Sequence, residues 1–210
     1  MIRNRRDVSF SEKRVHHHKD LEQQQIGIAF RGAPVTGDYH EAQRVAMGVL
    51  SGGMSSRLFT EVREKLGLAY WVGAWAESPR GSGMIFLGAS STPDRCQETY
   101  EVLLREVERL SQDLTQEELD RAVIGFTSKI HTQGDVTGSR CGELADDLFH
   151  FGGPRNRTEK IAKLKAVTVD DVCSYLNAHP RDALSVVTLG PRLLAGYETA
   201  GNGAAGGDAK

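Results

Sequence analysis

Arg63 and Tyr70 stand seven residues apart in "SSRLFTEVREKLGLAYWV" (55–72), on either side of Gly67. A guanidinium offers a planar fork of donors and a phenol offers one more. The spacing predicts a helix beginning near Arg57, closed by Gly67 as a left-handed cap and followed at once by a strand that carries Tyr70. On that helix Leu58, Phe59, Val62 and Leu66 form an apolar stripe, Thr60 and Glu64 face away, and Arg63 falls at the flank. Two readings follow. Arg63 and Tyr70 converge as a clamp on a carbonyl or oxyanion, or Arg63 pairs with Glu61 or Glu64 at the surface while Tyr70 packs.

Other residue types that carry chemistry lack the spacing for it. "HEAQR" (40–44) begins like the zinc-protease pattern H-E-x-x-H, but Arg44 stands where the second imidazole is required. None of the seven histidines opens the inverted form H-x-x-E-H. His16, His17 and His18 read as incidental exposed histidines, since consecutive side chains on an extended segment point to opposite faces. No G-x-S-x-G elbow is present, no cysteine sits in a nucleophile signature, and "SGGMSS" lacks the spacing and lysine of a phosphate loop.

The elements that must position Arg63 and Tyr70 can be read from periodicity. "QQIGIAF" (24–30) alternates as a half-buried strand whose edge could pair with an extended peptide. A helix is expected over roughly 38–50, with Ser55 or Ser56 capping the next one. "AYWVGAWA" and "GMIFLGA" are strands of a hairpin joined by "ESPRGS". The second half is mostly helical. Residues 94–111 place Tyr100, Leu103, Leu104, Val107 and Leu110 on one stripe, "TQEE" from Thr115 opens a long helix interrupted at Gly134 and Gly138, and "TVDD" from Thr168 opens another. "ALSVVTLG" (183–190) is a closing strand. The order predicts an α+β domain, an antiparallel sheet covered by helices.

With 210 residues, the chain is long enough for one good core. Residues 1–20 read as a linker or a strand leading in, 21–194 as the domain, and 195–210, with its Gly and Ala, as a disordered tail. A net charge of -2 provides no broad basic surface for nucleic acid or anionic lipid. No run approaches the roughly 18 apolar residues of a membrane span. Cys96, Cys141 and Cys173 are too far apart for a C-x-x-C site and are expected as reduced core thiols.

"GGMSSRLFTEVREKLGLAY" closely resembles the segment marking the second, non-zinc domain of pitrilysin/insulinase-family metallopeptidases, which include the mitochondrial processing peptidases and bacterial zinc proteases. "EQQQIGIAFRGAP", the hairpin after Tyr70, "LTQEELDRA", "VTVDDV" and "LSVVTLG" follow in the family's order, so the resemblance covers roughly residues 20–192. It implies the processing-peptidase fold, zinc held by a partner N-terminal domain or subunit and none in this chain, and an unfolded peptide enclosed between the halves. It further implies that Arg63 and Tyr70 reach toward that zinc and hold the substrate backbone at the scissile carbonyl. This chain would then be part of a zinc endopeptidase, inactive alone. The alternative is a non-catalytic structural or assembly subunit of the superfamily, against which retention of both Arg63 and Tyr70 argues. A homodimer stays open, and so does the compartment, cytoplasm before periplasm.

Overall fold

The computed structural model describes residues 10–78, 81–181 and 183–197. The elements are β1 (Lys13–His18), β2 (Gln24–Gly32), α1 (His40–Ser51), a π helix (Phe59–Lys65), β3 (Ala69–Glu77), β4 (Gly83–Ser91), α2 (Cys96–Asp113), α3 (Gln116–Gly134), α4 (Thr137–Phe151), α5 (Arg157–Lys165), α6 (Val169–Ala178) and β5 (Ser185–Gly190). The strands form one sheet in the order β1-β5-β2-β4-β3. The α+β class is as read, with one addition: β1 runs parallel to β5, while the other pairs are antiparallel. β2 pairs on both sides, so the edge proposed for "QQIGIAF" does not exist. The edges belong to β1 and β3.

Alternation along the strands explains the layering. Ile26, Ile28 and Phe30 of β2 and Ile85, Leu87 and Ala89 of β4 are buried, and they share one core with Val45, Ala46, Val49 and Leu50 of α1 and Leu103, Val107 and Leu110 of α2. The intervening residues Gln25, Gly27 and Arg31 are exposed, as a sheet covered on one face requires. Both capping boxes form: Thr115 with Glu118 opens α3, and Thr168 with Asp171 opens α6.

Several local expectations are corrected. Gly134 ends α3, but Gly138 lies inside α4. The Ser56 hydroxyl donates back to the Gly53 carbonyl at 2.6 Å instead of capping the next helix. His16 is buried and its Nδ1 lies 2.9 Å from the Thr188 hydroxyl across the β1–β5 pair, whereas His17 and His18 are exposed. Cys96 is buried, but Cys141 is exposed, so the thiols do not form a core set. At the start of the expected disordered tail, Tyr197 is buried, its ring edge-on to Tyr100 at 5.8 Å. The rest of that tail, 198–210, falls outside the described residues, as do residues 1–9.

A buried ionic cluster ties α4 to α5. Lys160 donates to Asp147 (2.6 Å) and Glu143 (2.7 Å), Arg155 donates to Asp147 (3.0 Å), and Arg140 and Arg157 donate to Glu143. Burial opposes the Glu143 charge, but hydrogen bonds from Lys160, Arg140 and Arg157 pull its pKa down to about 2.

Candidate functional site

The helix that carries Arg63 is anchored before it begins. Arg57 is only 8% exposed. Its guanidinium donates to both Glu118 oxygens at 2.7 Å, to Asp113 Oδ1 at 2.6 Å and to the Asp113 carbonyl at 3.0 Å. Burial works against that charge, yet the two carboxylates outweigh it and hold the Arg57 pKa above its ordinary value. Leu58 and Val62 are fully buried, each contributing about 1.5–3 kcal/mol. Phe59 and Leu66 are half-buried, so the predicted stripe holds.

The turn itself is wider than an α helix. Leu66 N–H donates to Glu61 C=O at 3.1 Å, five residues back, and Leu68 N–H reaches Val62 C=O at 2.8 Å. Gly67 ends the helix at φ 57°, the left-handed cap the sequence predicts. Single π turns are frequent at functional sites. Arg63 lies above Phe59, four residues back, its guanidinium carbon 4.9 Å from the ring centroid.

Tyr70 is placed by a second irregularity. Ala69 pairs with Ser91 and Trp71 with Ser90, so Tyr70 is the extra residue of a β-bulge at the start of β3. Such an insertion re-aims side chains. Ala69 is buried, whereas Tyr70 is 77% exposed and Trp71 is exposed beside it. The Arg63 guanidinium carbon lies 5.8 Å from the Tyr70 ring centroid, so the cation is flanked by two aromatic rings.

The reading of Arg63 as the partner of a neighbouring glutamate, with Tyr70 packed, does not hold. Glu61 accepts from Lys65 at 2.6 Å, and among the described residues no carboxylate pairs with Arg63. Tyr70 does not pack into the core. Exposed cation–π contacts contribute about 0.5–1 kcal/mol, against about 1.5–3 for a hydrogen bond to a charged group. Arg63 can therefore exchange its stacked position for an acceptor. A cavity of about 270 Å³ opens beside the pair, lined in part by Gln23, Ser90 and Ser91. A larger groove of about 710 Å³ runs between α1, β3 and α3, but neither Arg63 nor Tyr70 lines it.

A zinc ion does not fit the residues at "HEAQR". Arg44 brings a positive charge where the second imidazole would stand, its Nη1 2.9 Å from Glu41, whose carboxylate is thereby engaged. Burial, with Arg44 next, pushes His40 down to about 4, so the ring is neutral at pH 7. Among the described residues no three His, Cys, Asp or Glu side chains gather as a metal site. The triple His16–His18 is divided between the two faces of the sheet.

Sequence reasoning missed Arg57 and the bulge. Arg57 meets Glu118 across 61 positions, a partner with no local signal. The bulge left one trace, exposed Tyr70 and Trp71 in succession on β3, where strict alternation would bury one of them.

Fold and site together define a helix-covered α+β domain that presents an arginine and a tyrosine but holds no metal cluster among its described residues. The family described as "Peptidase M16 inactive domain" matches residues 4–126, and the chain belongs to that family. A relative in Rickettsia felis named "Uncharacterized zinc protease" is 30% identical over 185 residues, covering 86% of this chain and 44% of the relative. The chain thus spans under half the length of that relative. Among solved structures, a protease from Helicobacter pylori superposes with a TM-score of 0.77 at 20% identity, covering 86% of this chain and 44% of that one. A peptidase M16 inactive domain from Pseudomonas fluorescens gives 0.72 at 22%, covering 87% and 45%. Both share the fold.

Proposed function

We propose that this chain is the peptide-holding half of a zinc metalloendopeptidase, with the metal in a partner N-terminal domain or subunit. The observation that carries the reading is the paired irregularity: a π turn and a bulge bring Arg63 and Tyr70 together, exposed and uncommitted to any carboxylate among the described residues. Family membership and the zinc-protease name of the Rickettsia relative supply the reaction class.

In this reading an unfolded peptide lies across the β3 end of the sheet, between this chain and its partner. The Tyr70 phenol donates to the scissile carbonyl oxygen, and more strongly as that oxygen gains charge in the transition state. Arg63 leaves the Phe59 ring to donate its fork to a neighbouring peptide carbonyl, or stays to orient Tyr70. Arg57 touches no substrate; it positions the helix. Polarisation of the carbonyl and activation of water are what zinc supplies in such enzymes, and they belong to the other half.

The test is reconstitution. Cleavage of an unstructured peptide is expected from a mixture of this chain with a zinc-bearing half, and not from this chain alone. The activity is to be lost on chelation and in Tyr70→Phe. A mixture that stays inert with zinc bound overturns the reading in favour of an assembly subunit, and zinc-dependent cleavage by this chain alone overturns both.

A further inference from the structure

Helix α4 meets the rest of the domain with its charges. Its buried residue is Asp147, which shares Lys160 with Glu143 in the ionic cluster on α5. By contrast, α1 buries Val45, Ala46, Val49 and Leu50. Cys141, Leu144, Leu148 and Phe151 of α4 recur at helical intervals and so form one apolar stripe. All four are exposed, Leu148 at 63%. Packing of such a stripe supplies most of the stability of a helix in a protein, and here the domain does not cover it. Exposed apolar surface of this kind marks an interaction site.

Two observations bear on what covers the stripe. More than half of the Rickettsia felis relative lies outside its match to this chain, length enough for a further domain. The second is charge. In the cluster Arg140, Arg155, Arg157 and Lys160 share only Glu143 and Asp147, so cations are in surplus. That surplus borders the stripe, because the Arg155 guanidinium carbon lies 3.7 Å from the centroid of the Phe151 ring. Asp146, the remaining acid of α4, falls on the opposite side of the helix. A surface that suits this one is apolar and edged by carboxylates. A second copy of the chain packed antiparallel on the stripe would set the same arginines against one another, which like-charge repulsion opposes. Neither the cavity beside Tyr70 nor the groove along β3 is lined by α4.

We infer that α4 is the face on which the zinc-bearing half docks, with Leu144, Leu148 and Phe151 seated on an apolar, carboxylate-edged surface of that half. The inference rests on the reading of this chain as one half of a peptidase, and it names the surface that joins the halves. Docking at α4 leaves Arg63 and Tyr70, on the π helix and β3, open to the peptide.

The experiment is alkylation of Cys141 in the full chain, alone and mixed with the zinc-bearing half, followed by mass spectrometry. Cys141 is exposed on the stripe, and buried Cys96 serves as the internal reference. Cys141 is expected to lose its fast reaction in the mixture. Leu148→Glu should weaken association at least about tenfold by titration calorimetry and restore the fast alkylation, whereas Leu148→Met keeps both as in the wild type. Because Leu148 is exposed, the Tm of Leu148→Glu should match that of the wild type. Added salt should weaken the association, as the cationic border requires. Unslowed alkylation of Cys141 in the mixture, or association unchanged in Leu148→Glu, overturns the docking face. So does sedimentation of the chain alone as a dimer that Leu148→Glu dissociates, which assigns the stripe to a second copy. The peptide-holding reading fails separately, if the mixture protects Cys141 and holds zinc yet leaves an unstructured peptide uncleaved.

Discussion

Tyr70 and Arg63 differ in what their loss should reveal. If Tyr70 donates to an oxyanion, Tyr70→Phe in the reconstituted enzyme should lower kcat about 10²- to 10³-fold. KM should stay nearly unchanged, because the contact strengthens only in the transition state. Arg63→Lys keeps the charge but replaces a planar fork with an ammonium that holds a carbonyl from one point. It should raise KM at least as much as it lowers kcat, and steady-state kinetics on one peptide measures both. The types and spacing of the two residues were legible in the sequence; their uncommitted state was not. Glu61 pairs with Lys65 one turn on, the i,i+4 spacing at which helical side chains meet, and Arg63, two residues from Glu61, falls on another side.

Helix and strand hold that pair at two places. Arg57→Ala leaves Glu118 partly buried without its cation, held by its capping-box bonds to Thr115, and frees the π helix from the α2–α3 corner, which should cost about 3 kcal/mol in a denaturant titration. Activity should fall further than stability does, since Arg63 rides on the loosened helix. Gly67→Ala meets no obstruction, because nothing lies within 4 Å of the added Cβ, but φ 57° is strained for any side chain. About 1–2 kcal/mol of destabilisation is expected, with Tyr70 signals perturbed in an amide-shift comparison. The glycine stop, the apolar stripe and both capping boxes were legible because each rests on neighbours within one or two turns. The Arg57 anchor, the β1–β5 parallel pair and the central position of β2 join residues far apart in the chain, and no local pattern encodes them.

Across the molecule, stability should depend on acid through its ion pairs. Glu143, Asp147, Asp113 and Glu118 all have carboxyl pKa values lowered in the folded state. A lowered pKa adds stability that is fully present above the unfolded value, about 4 to 4.5. It is lost as pH falls from there through the folded values, toward the 2 or so of Glu143. His40, held down to about 4, and His16, also lowered, act earlier, because below about 6.5 the unfolded chain takes up their protons more readily than the folded one. The Tm should therefore begin to fall below about pH 6.5 and drop steeply below about 4. Calorimetry across that range checks it, and Lys160→Met should blunt the drop by removing a principal partner of Glu143 and Asp147.

By itself, the sequence determined the α+β class, the family, the failed metal motif and the identity of Arg63 and Tyr70. These are carried by residue type, short spacing and the periods of helix and strand. Only the tertiary structure decided that β3 is an edge, that a bulge turns Tyr70 outward, and that Arg57 is buried between two carboxylates. Those facts depend on which distant segments meet, and a one-residue insertion in one ladder is enough to change which side chains a surface presents.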